Sequence, residues 1–469
     1  MVFSSIIFIT AFLPITFLLY YLPFGNRYKN AVLIAASFIF YAFGEPVYVF
    51  LMLFSALMNY LFGLVISKRK GSGHKGGMTL AVSVVLNIAI LGVFKYTGFI
   101  VSNINTLCGT SIHVPSITLP IGISFFTFQA MSYVIDVYRN PAIVQKSFPK
   151  VLLYISFFPQ LIAGPIVRYT DINDYLARRD GFDADRITEG LTRFTKGLAK
   201  KLLIANCAGS IADTAYALPH DNICALTAWL GAICYTIQIY YDFSGYSDMA
   251  LGLSRVFGFK FPENFDHPYC SKSIKEFWRR WHISLSTWFK EYVYIPLGGN
   301  RKGKVRTEMN KLIVFFLTGL WHGAAWTFII WGLYNGILLV AEDILDKKSE
   351  KRFPVLRNIF TCILVVIGFV FFRADTLTDA AYMIRQMFTG FGASSVSIGY
   401  ATEQLSAYNV IIIITGIVCA YPLSSFIKRR IRKYRSYDLI VQAFSLALLA
   451  LCILSLSSAA YNPFIYFRF

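Results

Sequence analysis

Charged residues are scarce in this chain of 469 residues: they make up 15% of it, against about 25% in soluble globular domains. That leaves too few polar side chains to cover the two or three water-exposed domains this length would otherwise suggest. Cysteine is sparse and scattered. The eight residues, at 108, 207, 224, 234, 270, 362, 419 and 452, form no C-x-x-C pair. They read as small buried hydrophobes, not as a disulfide frame or a metal site. Strand-like alternation is missing too: runs such as Ile411 to Ile414 do not alternate as the strands of a membrane β-barrel must. There is no HExxH, G-x-S-x-G or Walker loop, no internal repeat and no linker.

What the chain has is apolar bulk. It is 56% hydrophobic and 17% aromatic, with a mean hydropathy of +0.56. The apolar residues come in blocks close to the ~20 residues needed to span a bilayer. The composition predicts an all-α polytopic membrane protein, one domain over 1–469. Lys and Arg number 44 against 25 Asp and Glu, a net charge of +19. In a soluble protein that excess would suggest nucleic acid. Here it falls in short stretches between apolar blocks, as the positive-inside rule produces. Membrane lipid, and no nucleic acid, is the expected surroundings.

The block Phe3–Leu22 is followed by Arg27 and Lys29 with no cation before it. It reads as a retained span with the N-terminus outside. Residues 31–66 form a hairpin broken at Gly44-Glu45-Pro46 and return to Lys68-Arg69-Lys70; a span at 78–98 leads to an external loop, 99–116. Residues 117–138 come back to Arg139. Val151–Val167, interrupted by Pro159, Gly164 and Pro165, has basic residues on both sides and reads as a re-entrant or kinked element, tolerated only inside protein or a polar cavity. Spans near 198–217 and 224–243 follow, then the basic stretch 260–311. An apolar stretch, 312–341, reads as two half-length segments bent near Gly323. Three further spans, at about 358–372, 408–427 and 438–460, place 374–407 outside, 428–435 in the cytoplasm and the C-terminus outside. About eleven membrane segments result, including broken ones.

Of six histidines, two lie in apolar, tryptophan-rich surroundings. His282 follows Phe277-Trp278-Arg279-Arg280-Trp281; positions 274, 277, 278, 281, 282, 285, 288, 289 and 292 keep helical spacing and predict one amphipathic helix at the cytoplasmic interface with His282 on its buried side. A core histidine donating to a backbone carbonyl is the plainer alternative. His322, in Gly319-Leu320-Trp321-His322-Gly323, lies mid-stretch among small residues. An ionisable group at membrane depth is a functional candidate, and a neutral imidazole is the usual base near neutral pH. Its alternative is polar packing between helices. Between the two lies Ile295-Pro296-Leu297-Gly298-Gly299-Asn300-Arg301-Lys302, a glycine-rich basic loop able to cradle phosphate or to anchor on anionic lipid. Upstream, Asp242 and Asp248 are candidates to orient a histidine, to bind a cation or simply to cap helices.

These stretches resemble the membrane-bound O-acyltransferase (MBOAT) family over most of the chain. The resemblance rests on ISFFTFQ at 123–129, FPQLIAGPI at 158–166, YDFSGYSD at 241–248, FWRRWH at 277–282, YIPLGGNR at 294–301, GLWHG at 319–323 and PFI at 463–465. The IPLGGNRKG form is similar to the branch of the alginate and peptidoglycan O-acetylation membrane proteins. The teichoic-acid D-alanylation membrane protein is a close cousin.

The resemblance implies a ring of helices around a thinned centre, with a cytoplasmic funnel for an acyl thioester and an external cavity that passes the acyl group onward. His322 matches the family's catalytic histidine and His282 the second histidine of this branch. In acyl transfer from a thioester to a hydroxyl, a base takes the proton and a donor steadies the oxyanion. His322 is then the base, and His282 positions the thioester or donates to its oxygen. Arg279 and Arg280 keep His282 unprotonated or bind donor phosphates, while Arg301 and Lys302 meet the phosphates of acetyl-CoA. No permanently bound cofactor is expected. An extracytoplasmic, hydrolase-like acetyltransferase partner and a cell-surface polysaccharide acceptor are. D-alanyl transfer from a carrier protein is the runner-up. A transporter or channel is opposed by the absent repeats and paired charges.

Overall fold

A computed structural model describes residues 1–179, 181–345, 353–423, 430 and 437–458. The C-terminal PFI stretch, the basic stretch 428–435 apart from Arg430 and part of the basic loop 347–357 lie outside the described residues. Helices and turns make up the rest, with no strand among the described residues. Among the described residues, five helices are long and apolar enough to cross a membrane: Tyr48–Gly71, Gly77–Cys108, Trp326–Leu345, Pro354–Arg373 and Tyr437–Ser458. Ser395–Gln404 and Ala407–Cys419, bent by 70° at their junction, make a sixth if taken as one span.

The described residues form two compact units. The first comprises Met1–Phe194 and Ser247–Glu263. Its helices are α1 (Leu13–Tyr20), α2 (Asn26–Ala42), α3 (Tyr48–Gly71), α4 (Gly77–Cys108), α5 (Ile123–Arg139), α6 (Phe148–Ser156), α7 (Phe158–Leu161), α8 (Tyr169–Ala177) and most of α9 (Ala184–Ala199). The break between α2 and α3 falls at the predicted Gly44-Glu45-Pro46, and α6 and α7 split within the predicted broken element. α4 corrects the expected boundary of the 99–116 loop: it continues to Cys108, where Gly109 takes the left-handed conformation (φ 64°) that commonly ends helices. The core is aromatic. Phe8 packs on Phe3, Phe40 and Phe158 at ring separations of 5.1, 5.9 and 6.4 Å. α3 and α4 are stitched by a buried reciprocal amide pair, Asn59 Nδ2–H to Asn87 Oδ1 at 3.1 Å and Asn87 Nδ2–H to Asn59 Oδ1 at 2.8 Å. Hydrogen bonds of this kind join helices where apolar surroundings supply little drive for association.

The second unit comprises Thr195–Tyr246 and residues from Asn264 onward. It holds α10 (Asn206–Tyr216), most of α11 (Ala225–Val256), α12 (Ile274–Arg280), α13 (Ile283–Phe289), α14 (Lys304–His322), α15 (Trp326–Leu345), α16 (Pro354–Arg373), α17 (Leu377–Thr389), α18 (Ser395–Gln404), α19 (Ala407–Cys419) and α20 (Tyr437–Ser458). α17 and α18 occupy much of what the sequence predicts as the loop 374–407. α14 and α15 meet at the predicted break near Gly323 and pack backbone to backbone. A Cβ added to Gly319 would lie 2.4 Å from the Phe328 carbonyl oxygen, and one on Gly332 would lie 2.4 Å from that of Phe315. The spacing Gly332-x-x-x-Gly336 puts small residues on one face of α15, opposite Gly319 of α14, the pattern that lets membrane helices approach closely. Around them lies an aromatic core containing Tyr240, Phe277, Trp278, Trp281, Phe328, Trp331, Phe369 and Phe372.

Candidate active site

Both singled-out histidines are buried in the second unit, at 1% exposure for His282 and 6% for His322. His282 does not sit within one continuous amphipathic helix, as its spacing predicts. α12 stops at Arg280, Trp281 is extended, and His282 itself adopts a left-handed backbone (φ 44°, ψ 55°) before α13 begins. A side chain rarely takes that conformation, which costs roughly 1–3 kcal/mol and persists only where surrounding contacts hold it.

The contacts come from the segment around Asn264. Its carbonyl accepts the Ile283 N–H at 2.9 Å, and the Asp266 N–H donates to the Arg280 carbonyl at 3.0 Å. The Asn264 side-chain oxygen accepts the Ser284 N–H at 3.3 Å and the Ser284 O–H at 2.9 Å, and it lies 3.0 Å from His282 Nδ1. The helical pattern therefore breaks because a loop 18 residues upstream competes for its backbone donors. Asn264 is a site residue that the sequence does not announce; Asp266-His267-Pro268 beside it reads only as a turn. Burial pushes the His282 imidazole down to about 3, so it is neutral at physiological pH.

His322 ends α14, one residue before the extended Gly323. Its ring meets Trp331 edge-on at 5.1 Å and Phe372 at 5.1 Å. Trp321 joins the two histidines, with its ring 5.0 Å from His322 and 6.1 Å from His282. Gly323 leaves no room for a side chain, since an added Cβ would lie 2.2 Å from the Phe328 ring. Two buried imidazoles thus flank one tryptophan inside an aromatic shell.

The same unit holds a cavity of about 240 Å3 whose walls include Trp278, Leu285, Phe289, Phe315 and Leu339 and neither histidine. Trp278 packs on Trp331 at 5.7 Å and so lies one ring away from His322. The cavity also takes Lys275, Arg279, Lys290 and Lys311 into its lining, with Asp343 as the only carboxylate. Lys311 is tied to Glu308 and Asp343, and Lys275 reaches Asp343 at 3.2 Å. Of the four cations proposed from sequence, Arg279 lines this cavity. Arg280 turns away to Glu276 at 3.0 Å and Asp266 at 3.2 Å. Arg301 and Lys302 are exposed and lie outside the lining.

The two upstream carboxylates have cationic partners of their own. Asp242 forms a buried ion pair with Lys201 at 2.7 Å. Asp248, in the first unit, accepts from both Nε and Nη2 of Arg193, which also binds Glu263.

A polytopic, all-helical chain with paired buried histidines and an apolar, cation-lined cavity belongs among the membrane-embedded proteins. The model of the MBOAT (membrane-bound O-acyltransferase) family matches residues 38–374, and the chain belongs to that family. It is 40% identical to a protein named "Probable alginate O-acetylase AlgI" of Pseudomonas putida, over the whole of both chains. It is 34% identical to the peptidoglycan O-acetyltransferase of Helicobacter pylori, over 100% of this chain and 98% of that one. With the teichoic acid D-alanyltransferase of Bacillus subtilis it shares 31% identity, over 53% of this chain and 65% of the relative. The chain is a multi-pass membrane O-acyltransferase, an acetyltransferase by its relatives.

Proposed function

We propose that this protein takes an acetyl group from cytoplasmic acetyl-CoA and moves it across the cell membrane for O-acetylation of an extracytoplasmic polysaccharide, alginate-like exopolysaccharide or peptidoglycan. The observation that carries this reading is the pairing of two buried histidines in the unit that holds an apolar cavity with a cationic lining. Apolar walls suit an acyl-pantetheine arm, and Arg279 with Lys275 and Lys290 suits the phosphates of the carrier. Full-length similarity to the two O-acetylating relatives favours acetyl over D-alanyl, for which the similarity covers only about half of this chain.

In this reading His322 is the base that takes the acceptor's proton, and His282 holds the thioester. Arg280 orders the break at His282, and Arg301 with Lys302 meets the carrier's outer phosphates. The whole chain acts as one membrane domain. The shorter and broken helices enter the membrane beside the long spans, making about eleven segments around a cytoplasmic funnel, with both termini outside. A separate extracytoplasmic acetyltransferase of hydrolase-like type delivers the group to the polymer.

His322 provides the test. General-base catalysis supplies about 10²–10⁴-fold, so His322→Ala should remove most acetyl transfer to the surface polymer. His322→Gln keeps a polar side chain of similar size but cannot accept the proton, and should be as inactive as Ala at normal membrane abundance. Near-normal acetylation by the Gln variant would end the base assignment and leave His322 a packing role.

A further inference from the structure

The hydrogen bonds at the α12–α13 break specify which nitrogen of His282 carries its proton. The Asn264 side-chain atom facing Ser284 accepts from a backbone N–H at 3.3 Å. A backbone N–H can only donate, so that atom is the carboxamide oxygen and not the nitrogen. The same oxygen takes the Ser284 hydroxyl at 2.9 Å. His282 Nδ1, 3.0 Å from this acceptor-only oxygen, must therefore be N–H. A neutral imidazole has one N–H, which leaves Nε2 with its lone pair bare. Nε2 is buried and has no hydrogen-bond partner among the described residues.

We infer that Asn264 is a positioning residue that locks His282 in the Nδ1–H tautomer, so that Nε2 works as an acceptor toward a substrate O–H or N–H. This rests on the reading of the two histidines as the acyl-transfer site and sharpens it. A neutral His282 in this tautomer has no proton to give an oxyanion through Nε2. Of the two roles expected from sequence, holding the donor remains open to it and donating to the thioester oxygen does not. The amide N–H groups of a pantetheine arm are donors of the required kind.

Two costs at this residue support a functional reason for the arrangement. The left-handed backbone of His282 is strained, and a buried acceptor without a donor is destabilising. Both are met at one residue, and the second is relieved when a hydrogen-bond donor fills the site. A histidine serving only to pack would more cheaply satisfy both nitrogens, as buried polar groups ordinarily do.

The tautomer is read directly by ¹⁵N solid-state NMR of histidine-labelled full-length protein in lipid vesicles, with the His282 signals identified by their loss in His282→Gln. Wild type should show protonated Nδ1 and unprotonated Nε2 at neutral pH. Asn264→Asp keeps an acceptor oxygen and should keep Nδ1–H; Asn264→Ala removes it and should yield an Nε2–H or mixed signal. In acetyl-CoA-dependent transfer, Asn264→Ala should lose on the order of 10- to 100-fold, as when the orienting partner of a metal-bound histidine is removed, with Asn264→Asp recovering most of it. An Nε2–H signal in wild type overturns the lock without any variant having to fold. So does wild-type transfer by Asn264→Ala with an unchanged spectrum. An Nδ1–H wild type whose His282→Gln variant transfers acetyl at the normal rate would instead overturn the two-histidine reading on which the inference rests.

Discussion

A single arginine pair shows how finely function divides along a helix. Arg279 and Arg280 are adjacent, yet successive residues on a helix point about 100° apart. Arg279 lines the cavity, whereas Arg280 is taken up by Glu276 and Asp266. Exposed ion pairs of the second kind contribute little, about 0–1 kcal/mol, so losing Arg280 should matter through the order of the break and not through donor charge. Arg279→Ala should raise the apparent KM for acetyl-CoA with kcat near wild type, the signature of lost uniform binding. The double variant Arg301→Ala/Lys302→Ala should raise it as well, and by less, because those side chains lie outside the cavity lining. Initial rates against acetyl-CoA concentration in membranes would decide; a collapse of kcat at unchanged KM would remove these cations from donor binding.

Between elements, the contact that places His322 is the one between α14 and α15, where glycine stands in for side chains. An Ala at Gly319 or Gly332 would drive a methyl to 2.4 Å from a backbone carbonyl, which no rotamer change relieves. An Ala at Gly336 would meet the Leu312 Cδ2 and the Phe315 Cβ at 3.2 Å, and the backbone Cα of Leu312 at 3.6 Å. The expected order is therefore steep: Gly319→Ala and Gly332→Ala lower thermal stability in detergent by at least the roughly 1–3 kcal/mol of an overpacked core and displace His322. Gly336→Ala should be milder. Gly92→Ala, where nothing lies within 4 Å, should be neutral or slightly stabilising, since alanine suits a helix better than glycine. Equal melting temperatures for the Gly319 and Gly92 variants would show that the two helices do not depend on this close approach.

For the whole molecule the question is which side of the membrane each connection faces. Cysteine chemistry answers it with a residue already present. Cys108, exposed at the end of α4, belongs to the stretch 99–116, which carries no Lys or Arg. An impermeant maleimide should label it in intact cells, and Cys108→Ser should abolish that signal. A cysteine placed at Lys302 or Arg430, both exposed and in basic stretches, should react only after permeabilisation. Labelling at position 430 in intact cells would invert the proposed topology and, with it, the direction of acetyl movement.

Membrane residence, the all-helical class, the breaks at Gly44-Glu45-Pro46 and Gly323 and the candidacy of His282 and His322 are all legible along the chain. Hydropathy, turn residues and charge act locally and add up residue by residue, so a linear reading finds them. Helix ends are less legible, as the continuation of α4 to Cys108 shows, because the residues after position 98 tolerate either state. What the tertiary structure alone decided is how the histidines are held. The periodicity through 274–292 predicts an unbroken helix. The interruption at His282 comes from Asn264, 18 residues away, whose carbonyl and side-chain oxygens take backbone donors that an unbroken helix would have spent on itself. The seating of Trp321 against His282 likewise depends on a partner distant in sequence. A hydrogen bond or ring contact between such residues has no period, and only folding brings its two halves together.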